Sequence, residues 1–436
     1  MMDSLTILGH YLCARRLDAI TNRRELLERQ FAGLDRLRRA LTASPFYRDY
    51  LDKPWSEWPI LDKANWMTNF DSINTRGIRL RDAEALALAA ERDKNFSATL
   101  NDVTVGLSTG TSGTRGIFLA SKRERMQWAG AILAKLLPRG LRHRERVALV
   151  LRADSRLYGT VATSRRIRFG YFDSSRALPA LAAELAQFDP TMLVGPPSVL
   201  RLLATQTDLA ARIHPIRVVC GTEVLDDVDR RFLAAQFHAP IAEVYQATEG
   251  FLGASCTHGR IHLNEEYLHI EPQWLDDERK RFVPIVTDLC RHTQPVVRYR
   301  LNDVLTVAQA PCACGKASLA LERIEGREDD VFWLAGSATR RTVPVFADVL
   351  SRALVTQSIA IDDYEIVQVA RDAWRAALHP LPSREACDAL RTRLIECATR
   401  AGGMVPSIEF VPLAAPSVGS KRRRVRRECR VESSDA

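Results

Sequence analysis

The sequence predicts an α/β fold: a large sheet whose strands alternate with helices, followed by a small, separate α+β unit. Three observations carry this. Short β-branched runs alternate with helix-length stretches through the middle of the chain. The first 45 or so residues place apolar side chains at helical spacing, and the character of the chain changes near Arg327. The 436 residues leave room for two or three domains at roughly 100–200 residues each.

Taken in order, the opening segment is rich in Leu, Arg and Ala, with Leu26, Leu27, Phe31, Leu34 and Leu37 on a helical repeat. Pro45 ends that pattern, and Pro54 and Pro59 punctuate a mixed stretch running to about residue 100. Residues 147–151, 192–194, 216–219 and 241–245 are apolar runs of strand length, and 178–188, 198–212 and 226–237 are the helices between them. Such alternation makes a parallel sheet covered on both faces. Beyond Arg327, the stretches 344–355 and 384–399 and the strand-like 364–369 form the small α+β unit. The boundary is expected within 326–330, giving domains 1–327 and 328–436. There is no internal repeat and no low-complexity linker.

A composition 46% hydrophobic and 26% charged is that of a globular chain and excludes a disordered one. No apolar run reaches the ~20 residues of a membrane span. The N-terminus places its basic residues after a short apolar stretch, the wrong order for a secretory signal, so a cytoplasmic location is expected. The net charge is +9, yet residues 421–430 hold seven basic side chains and one acid, which accounts for +6 of it. The body is nearly balanced. A basic run alone is usually a solvated segment, which argues against nucleic acid as a partner. Nine cysteines in a chain of this length without a secretory signal do not form a disulfide framework.

Four segments have the composition of a nucleotide site. Ser108, Thr109, Gly110, Thr111, Ser112, Gly113 and Thr114, ahead of Arg115-Gly116, offer glycine backbone and hydroxyl donors suited to a polyphosphate. Lacking Gly-Lys-Ser/Thr, the segment is not a Walker loop, and a plain surface loop would share its composition. Tyr245-Gln246-Ala247-Thr248-Glu249-Gly250 follows a buried strand, where α/β sheets bind ligands. Glu249 suits Mg²⁺, a hard cation that prefers oxygen, and Thr248 suits a phosphate; a helix N-cap is the blander reading. Asp303, in Arg298-Tyr299-Arg300-Leu301-Asn302-Asp303, could accept from two ribose hydroxyls, and Arg327 could reach ribose or phosphate. A strand-closing Asp and a charged turn are the corresponding structural readings.

The order of these segments, with Cys220-Gly221-Thr222-Glu223 between the first two and a Gly-Ser-Lys at 419–421, resembles the adenylate-forming (acyl-AMP ligase) superfamily over almost the whole chain. Residues 44–51 and 59–78 look like its phenylacetate–coenzyme A ligase-like branch. The resemblance implies a large N-terminal adenylation domain of mixed and parallel sheets, joined by a hinge at Asp329 to a small mobile C-terminal domain. It implies that 109–114 cradle the β- and γ-phosphates of ATP, and that Gly221, Thr222 and Glu223 line the adenine side. Tyr245 would flank the adenine, Thr248 touch the α-phosphate, Glu249 ligate Mg²⁺, Asp303 bind ribose, and Arg327 precede the hinge. Lys421 matches the lysine that reaches the reacting phosphate. Relatives usually have Gly-Lys adjacent, whereas Ser420 intervenes here, so the register is open within 421–424. Arg115 occupies a place where relatives commonly carry lysine, and a guanidinium is bulkier and differently directed than an ammonium.

The implied reaction activates a small, by analogy aromatic, carboxylic acid and passes the acyl group to coenzyme A or to the phosphopantetheine of an acyl carrier protein. Transfer to an amine, or a nucleotide-binding regulatory protein with little turnover, are the alternatives. A homodimer is admitted, and a membrane partner is not expected. The acid pocket is expected around 158–171 and 221–250.

Cys312-Ala-Cys314 and Cys256 supply three thiols, and with one imidazole they would make a structural Zn²⁺ site. Either His258 or His262 could complete it. The resemblance favours His262. The bland reading is two unrelated thiol pairs, and Cys220 and Cys290 are expected to be ordinary buried strand cysteines.

Overall fold

A computed structural model describes residues 2–93, 99–107, 116–151, 159–160, 166–206, 208–337, 342–354, 359–414 and 423–429. It divides into two compact units: 1–301 with 306–323, and 302–305 with 324–436. The expected boundary lay at 327/328.

The larger unit opens with helices α1 (Met2–Asp18) and α2 (Arg23–Ala40), the latter capped by the Asn22 side chain, which accepts from the Arg24 and Glu25 amides. After α3 (Leu80–Arg92), strands β1 (Val103–Leu107) and β2 (Ile117–Ala120) pair antiparallel, with Leu107 opposite Ile117. Helix α4 (Lys122–Leu136) starts from a capping box between Ser121 and Glu124.

Then come β3 (Glu145–Leu151), β4 (Ile167–Asp173), α5 (Leu178–Phe188), β5 (Met192–Gly195), α6 (Pro197–Gln206), α7 (Leu209–Arg212), β6 (Arg217–Cys220), α8 (Asp227–Phe237) and β7 (Ile241–Ala247). The expected helix at 198–212 is two helices. Strands β8 (Gly250–Ser255), β9 (Ile261–Leu263), β10 (Leu268–Trp274) and β11 (Arg281–Asp288) follow. The division between units falls inside β12 (Asp303–Val307) and β13 (Ala320–Arg327).

The sheet order is β10-β11-β12-β13-β9-β8-β7-β6-β5-β3-β4. The run β4-β3-β5-β6-β7 is parallel, as the sequence predicts; from β7 onward the sheet turns antiparallel through the β7–β8 and β8–β9 hairpins. Alternation within the parallel strands shows why they read as continuous apolar runs. Ala148, Val150, Leu193, Val218 and Ile241 face α5, α6 and α8 through Leu181, Leu185, Leu200, Leu203, Leu233 and Phe237. Their neighbours Val147, Met192, Val219 and Ala242 pack with Ile7, Tyr11 and Ala14 of α1 and with Leu133 and Leu136 of α4. Both faces are dry, so neither set of positions can be polar. Helices α1 and α4 come close because Gly130 has no side chain: a Cβ there would lie 2.8 Å from the His10 backbone.

The smaller unit holds β14 (Phe332–Ala335) paired with β15 (Thr342–Val345), and helices α9 (Ala347–Leu354) and α10 (Arg384–Arg400). A four-stranded sheet is built from β16 (Asp363–Ala370), β17 (Ala373–His379), β18 (Ser407–Pro412) and β19 (Val425–Arg427), in the order β18-β17-β16-β19. The stretch 344–355 divides between two elements: Pro344 lies in β15 opposite Trp333, and α9 begins only at Ala347.

The basic segment is not simply solvated. Val425–Arg427 pairs parallel with β16, Arg424 bonds Asp363 at 3.1 Å, and Arg426 pairs with Glu365. Sheet pairing puts alternate arginines opposite carboxylates, which charge counting along the sequence cannot show.

Candidate functional site

Gly221, Thr222 and Glu223 leave β6 beside the end of β7, since Cys220 pairs in parallel with Glu243. Gly221 is needed for that approach: a Cβ would come within 2.6 Å of Val244 Cγ1. Thr222 has φ +68°, a left-handed backbone that is costly for a β-branched residue and recurs at functional turns. The Glu223 carboxylate accepts from the Ser198 amide at 3.3 Å.

On β7, Tyr245 is buried, and the Gln246 side chain accepts from the Trp128 indole of α4 at 3.0 Å. Thr248 and Glu249 are the two turn residues of the β7–β8 hairpin, because Ala247 pairs with Gly250. The helix N-cap reading of Thr248-Glu249 is therefore set aside: the chain reverses here instead of entering a helix. Glu249 lies beside the Tyr299 hydroxyl. Burial, and then the charge of Glu249, push that phenol far above its ordinary value. The Thr248 carbonyl accepts from Arg291 Nη1 at 2.8 Å.

Asp303 and Arg327 both fall in the smaller unit, although the sequence assigns both to the N-terminal domain. Asp303 opens β12, Arg327 closes β13, and the Glu328 amide donates to the Asn302 carbonyl at 2.6 Å. That backbone bond joins 302–305 to the segment around 328. Asp329 lies in the 3-10 turn Glu328–Asp330, where the Arg327 amide donates to Asp330 at 3.2 Å and Arg423 pairs with the same carboxylate. Burial raises the Asp330 carboxyl even against that arginine. Ser108 to Thr114 and Lys421 lie outside the described residues, as does most of 158–165 of the expected acid pocket.

Cys256, His262, Cys312 and Cys314 place their donor atoms within 4.8 Å of one another. The Cys256 and Cys312 sulfurs are 3.7 Å apart. Two thiolates at ~2.3 Å from one tetrahedral zinc would be about 3.8 Å apart. His262 Nε2 lies 3.3 Å from Cys314 Sγ, while its Nδ1 faces the Ser318 carbonyl at 3.0 Å, the second contact that fixes a ligating imidazole. His258 is outside the group; its ring meets the Thr257 hydroxyl, and its amide donates to Cys256 Sγ at 3.4 Å. Both thiol segments turn on a left-handed glycine, Gly259 at φ +77° and Gly315 at +73°, with amides donating to the Cys256 and Cys312 carbonyls. Cys290, expected in a strand, is half-buried in the bend after β11.

Sequence reasoning missed the residues that hold the site together. Arg298 is 9% exposed and bonds Glu271 through both Nε and Nη2, and the Trp58 carbonyl at 2.6 Å. Asp288, Arg291 and Gln294 tie the Thr248–Glu249 turn to its surroundings. The long-range partners of Arg298, Arg291 and Gln294 lie tens to hundreds of positions away, so no local pattern announces them.

No family model matches the sequence, and no curated protein does. Solved structures do. A 2-hydroxyisobutyryl-CoA ligase, in complex with an acyl-AMP in its postadenylation state, is similar with TM-score 0.65 at 18% identity over 92% of this chain and 90% of that one. The chain has the fold of acyl-CoA ligases. The same fold appears in a benzoate CoA ligase from Burkholderia xenovorans LB400 (TM-score 0.50, 13% identity, 75% and 69% covered). It appears again in the amide bond synthetase McbA from Marinactinospora thermotolerans (TM-score 0.53, 16% identity, 74% and 69% covered). Within the acyl-CoA ligase fold, the Gly221–Glu223 and Thr248–Glu249 segments stand at the carboxyl ends of adjacent parallel strands, the place where open α/β sheets bind ligands.

Proposed function

We propose that the protein activates a small carboxylic acid with ATP and passes the acyl group to a thiol. The observation that carries this is the Thr248–Glu249 turn, held by Arg291 beside the Gly221–Glu223 segment, in a fold shared with acyl-CoA ligases. A carboxylate is a poor electrophile. When its oxygen attacks the α-phosphorus, the bond to the bridging oxygen breaks and pyrophosphate leaves, giving an acyl-AMP. A thiolate then attacks the acyl carbon, and AMP departs with the electron pair.

Glu249 is the residue that would hold Mg²⁺: it offers hard carboxylate oxygen on a partly exposed turn. Bound there, Mg²⁺ supplies positive charge against the phosphate oxygens. In this reading Thr109 to Thr114 hold the β- and γ-phosphates, Tyr245 flanks adenine, Asp303 takes the ribose hydroxyls, and Arg327 reaches ribose or phosphate. Lys421 brings an ammonium to the α-phosphate. At an effective dielectric of ~20, a unit charge pair at ~4 Å interacts by about 4 kcal/mol, several times its value in water.

Pyrophosphate release against a panel of aromatic and aliphatic acids tests the reading. ATP- and acid-dependent release is expected, strongest for aromatic acids. The aromatic preference comes from the family resemblance. Silence across the panel would sink the proposal. Hydroxylamine trapping with and without coenzyme A separates thiol from amine acceptors, both of which occur among proteins of this fold. Lys421→Ala should lose adenylation and keep ATP binding.

We also propose that Cys256, His262, Cys312 and Cys314 hold a structural zinc, supported by the sulfur spacing and the Ser318 contact. Metal analysis of the purified protein should find about one zinc per chain, lost on Cys312→Ser.

A further inference from the structure

We infer that residues 288–294 form a brace that fixes the Thr248–Glu249 turn against strand β2, with Arg291 and Gln294 as its positioning residues. The inference rests on the ligase reading for its meaning and on hydrogen bonds for its geometry. The Asp288 carboxylate accepts the amides of Cys290 at 2.9 Å and Arg291 at 3.1 Å, closing the turn from which Arg291 departs. Arg291 donates to the Thr248 carbonyl at 2.8 Å through Nη1 and to Gln294 Oε1 at 3.1 Å through Nη2. Gln294 is wholly buried, and its Oε1 also accepts the Leu119 amide at 2.8 Å while its Nε2 donates to the Ile117 carbonyl at 3.3 Å.

Ile117 begins β2, the strand that follows the Gly/Thr segment assigned to the ATP phosphates. One guanidinium and one carboxamide thus link that strand to the turn assigned to Mg²⁺. A third contact sets the height of the brace: Glu124 Oε1 accepts the His292 and Thr293 amides at 2.7 and 2.8 Å, while its Oε2 holds the Ser121 amide at the start of α4. Burial would raise the Glu124 carboxyl, but these donors outweigh it and leave it lowered. The brace joins the Thr248–Glu249 turn to β2 and to the start of α4, and it sets the spacing on which a shared triphosphate would depend.

The test is titration calorimetry of Mg-ATP with full-length protein, read beside the thermal midpoint. Arg291→Ala and Gln294→Leu should each weaken Mg-ATP about tenfold or more, the scale of losing a bond to a charged donor. Arg291→Lys, which keeps the charge and a donor, should recover most of the affinity. The double variant should be no weaker than the worse single, because both act in one relay. In turnover, KM for ATP should rise while KM for the acid stays within about twofold. Unchanged Mg-ATP affinity in Arg291→Ala would overturn the brace and leave the ligase reading intact. So would affinity that merely follows the thermal midpoint with no rescue by lysine, the mark of a purely structural role. Wild-type protein that binds Mg-ATP but turns over no acid would remove the ligase reading while the affinity series still decides the brace. Wild-type protein that binds no Mg-ATP would remove both.

Discussion

The Asp288 side chain accepts two backbone amides, and burial nevertheless pushes its carboxyl up from 3.8 to about 6. Below pH ~4 the group is protonated in both folded and unfolded chains. As pH rises from there, the unfolded chain ionises first, so stability is lost, and the loss is complete once pH passes the folded value near 6. The full cost is on the order of 1–3 kcal/mol. Asp288→Asn keeps the acceptor oxygen and removes the titration. Relative to wild type, the variant should therefore gain stability between pH 4 and 7 in urea unfolding, and an unchanged difference across that range would refute the assignment. At Glu249, the Gln substitution removes the charge proposed to bind Mg²⁺. It should raise the Mg²⁺ concentration needed for half-maximal pyrophosphate release about tenfold, with the fold intact by circular dichroism. Thr248 and Glu249 stand out in the sequence because Thr-Glu follows a buried strand directly. Arg291 and Gln294 do not, since an arginine and a glutamine in a bend carry no signal until the chain returns to Thr248 and Leu119.

Among the elements, the N-terminal helices and the thiol-bearing segment depend on each other. Lys316 pairs with Asp18 at 2.6 Å, the Ala317 amide donates to the Ile20 carbonyl, and Glu265 accepts both Arg23 and the Leu319 amide. Lys135 of α4 is 5% exposed and bridges Asp18 and Glu266 at 2.7 Å each. Burial would lower its ammonium, but the two carboxylates outweigh that and raise it. Lys135→Ala strands Glu266 and should cost about 3–5 kcal/mol in chemical unfolding. A metal chelator should speed amide exchange at 312–319 and at 18–23, leaving exchange within β16 and β17 unchanged; equal exchange with and without chelator would dissociate the two segments. The strands and most helices were legible because burial on one or both faces leaves a period in the residues. The break between α6 and α7 was not, because Leu200, Leu203 and Leu209 all pack on the same core and keep the apolar pattern going.

For the molecule as a whole, each unit has its own interior. The smaller one packs Phe332, Leu350, Tyr364, Ile366, Trp374, Leu378, Leu390 and Leu394 together. Two separate cores should give two components in scanning calorimetry, and a single two-state transition would argue against independent units. Composition changes near Arg327, and the smaller unit begins at 324 with 302–305 added to it. The transfer of 302–305 was not legible, because it depends on the Glu328–Asn302 backbone bond. The fold was legible from pattern at 18% identity to a similar structure, because a sheet dry on both faces asks for apolar character and spacing and tolerates many residues that meet both. Helix α1 is part of that requirement. It lies against Gly130 and packs in the same cluster as Val147, Met192, Val219 and Ala242, so a version lacking residues 2–18 would open part of that greasy surface to water. Such a product should accumulate in inclusion bodies, which makes the carboxyl end the safer place for an affinity tag only if the proposed role of Lys421 survives it.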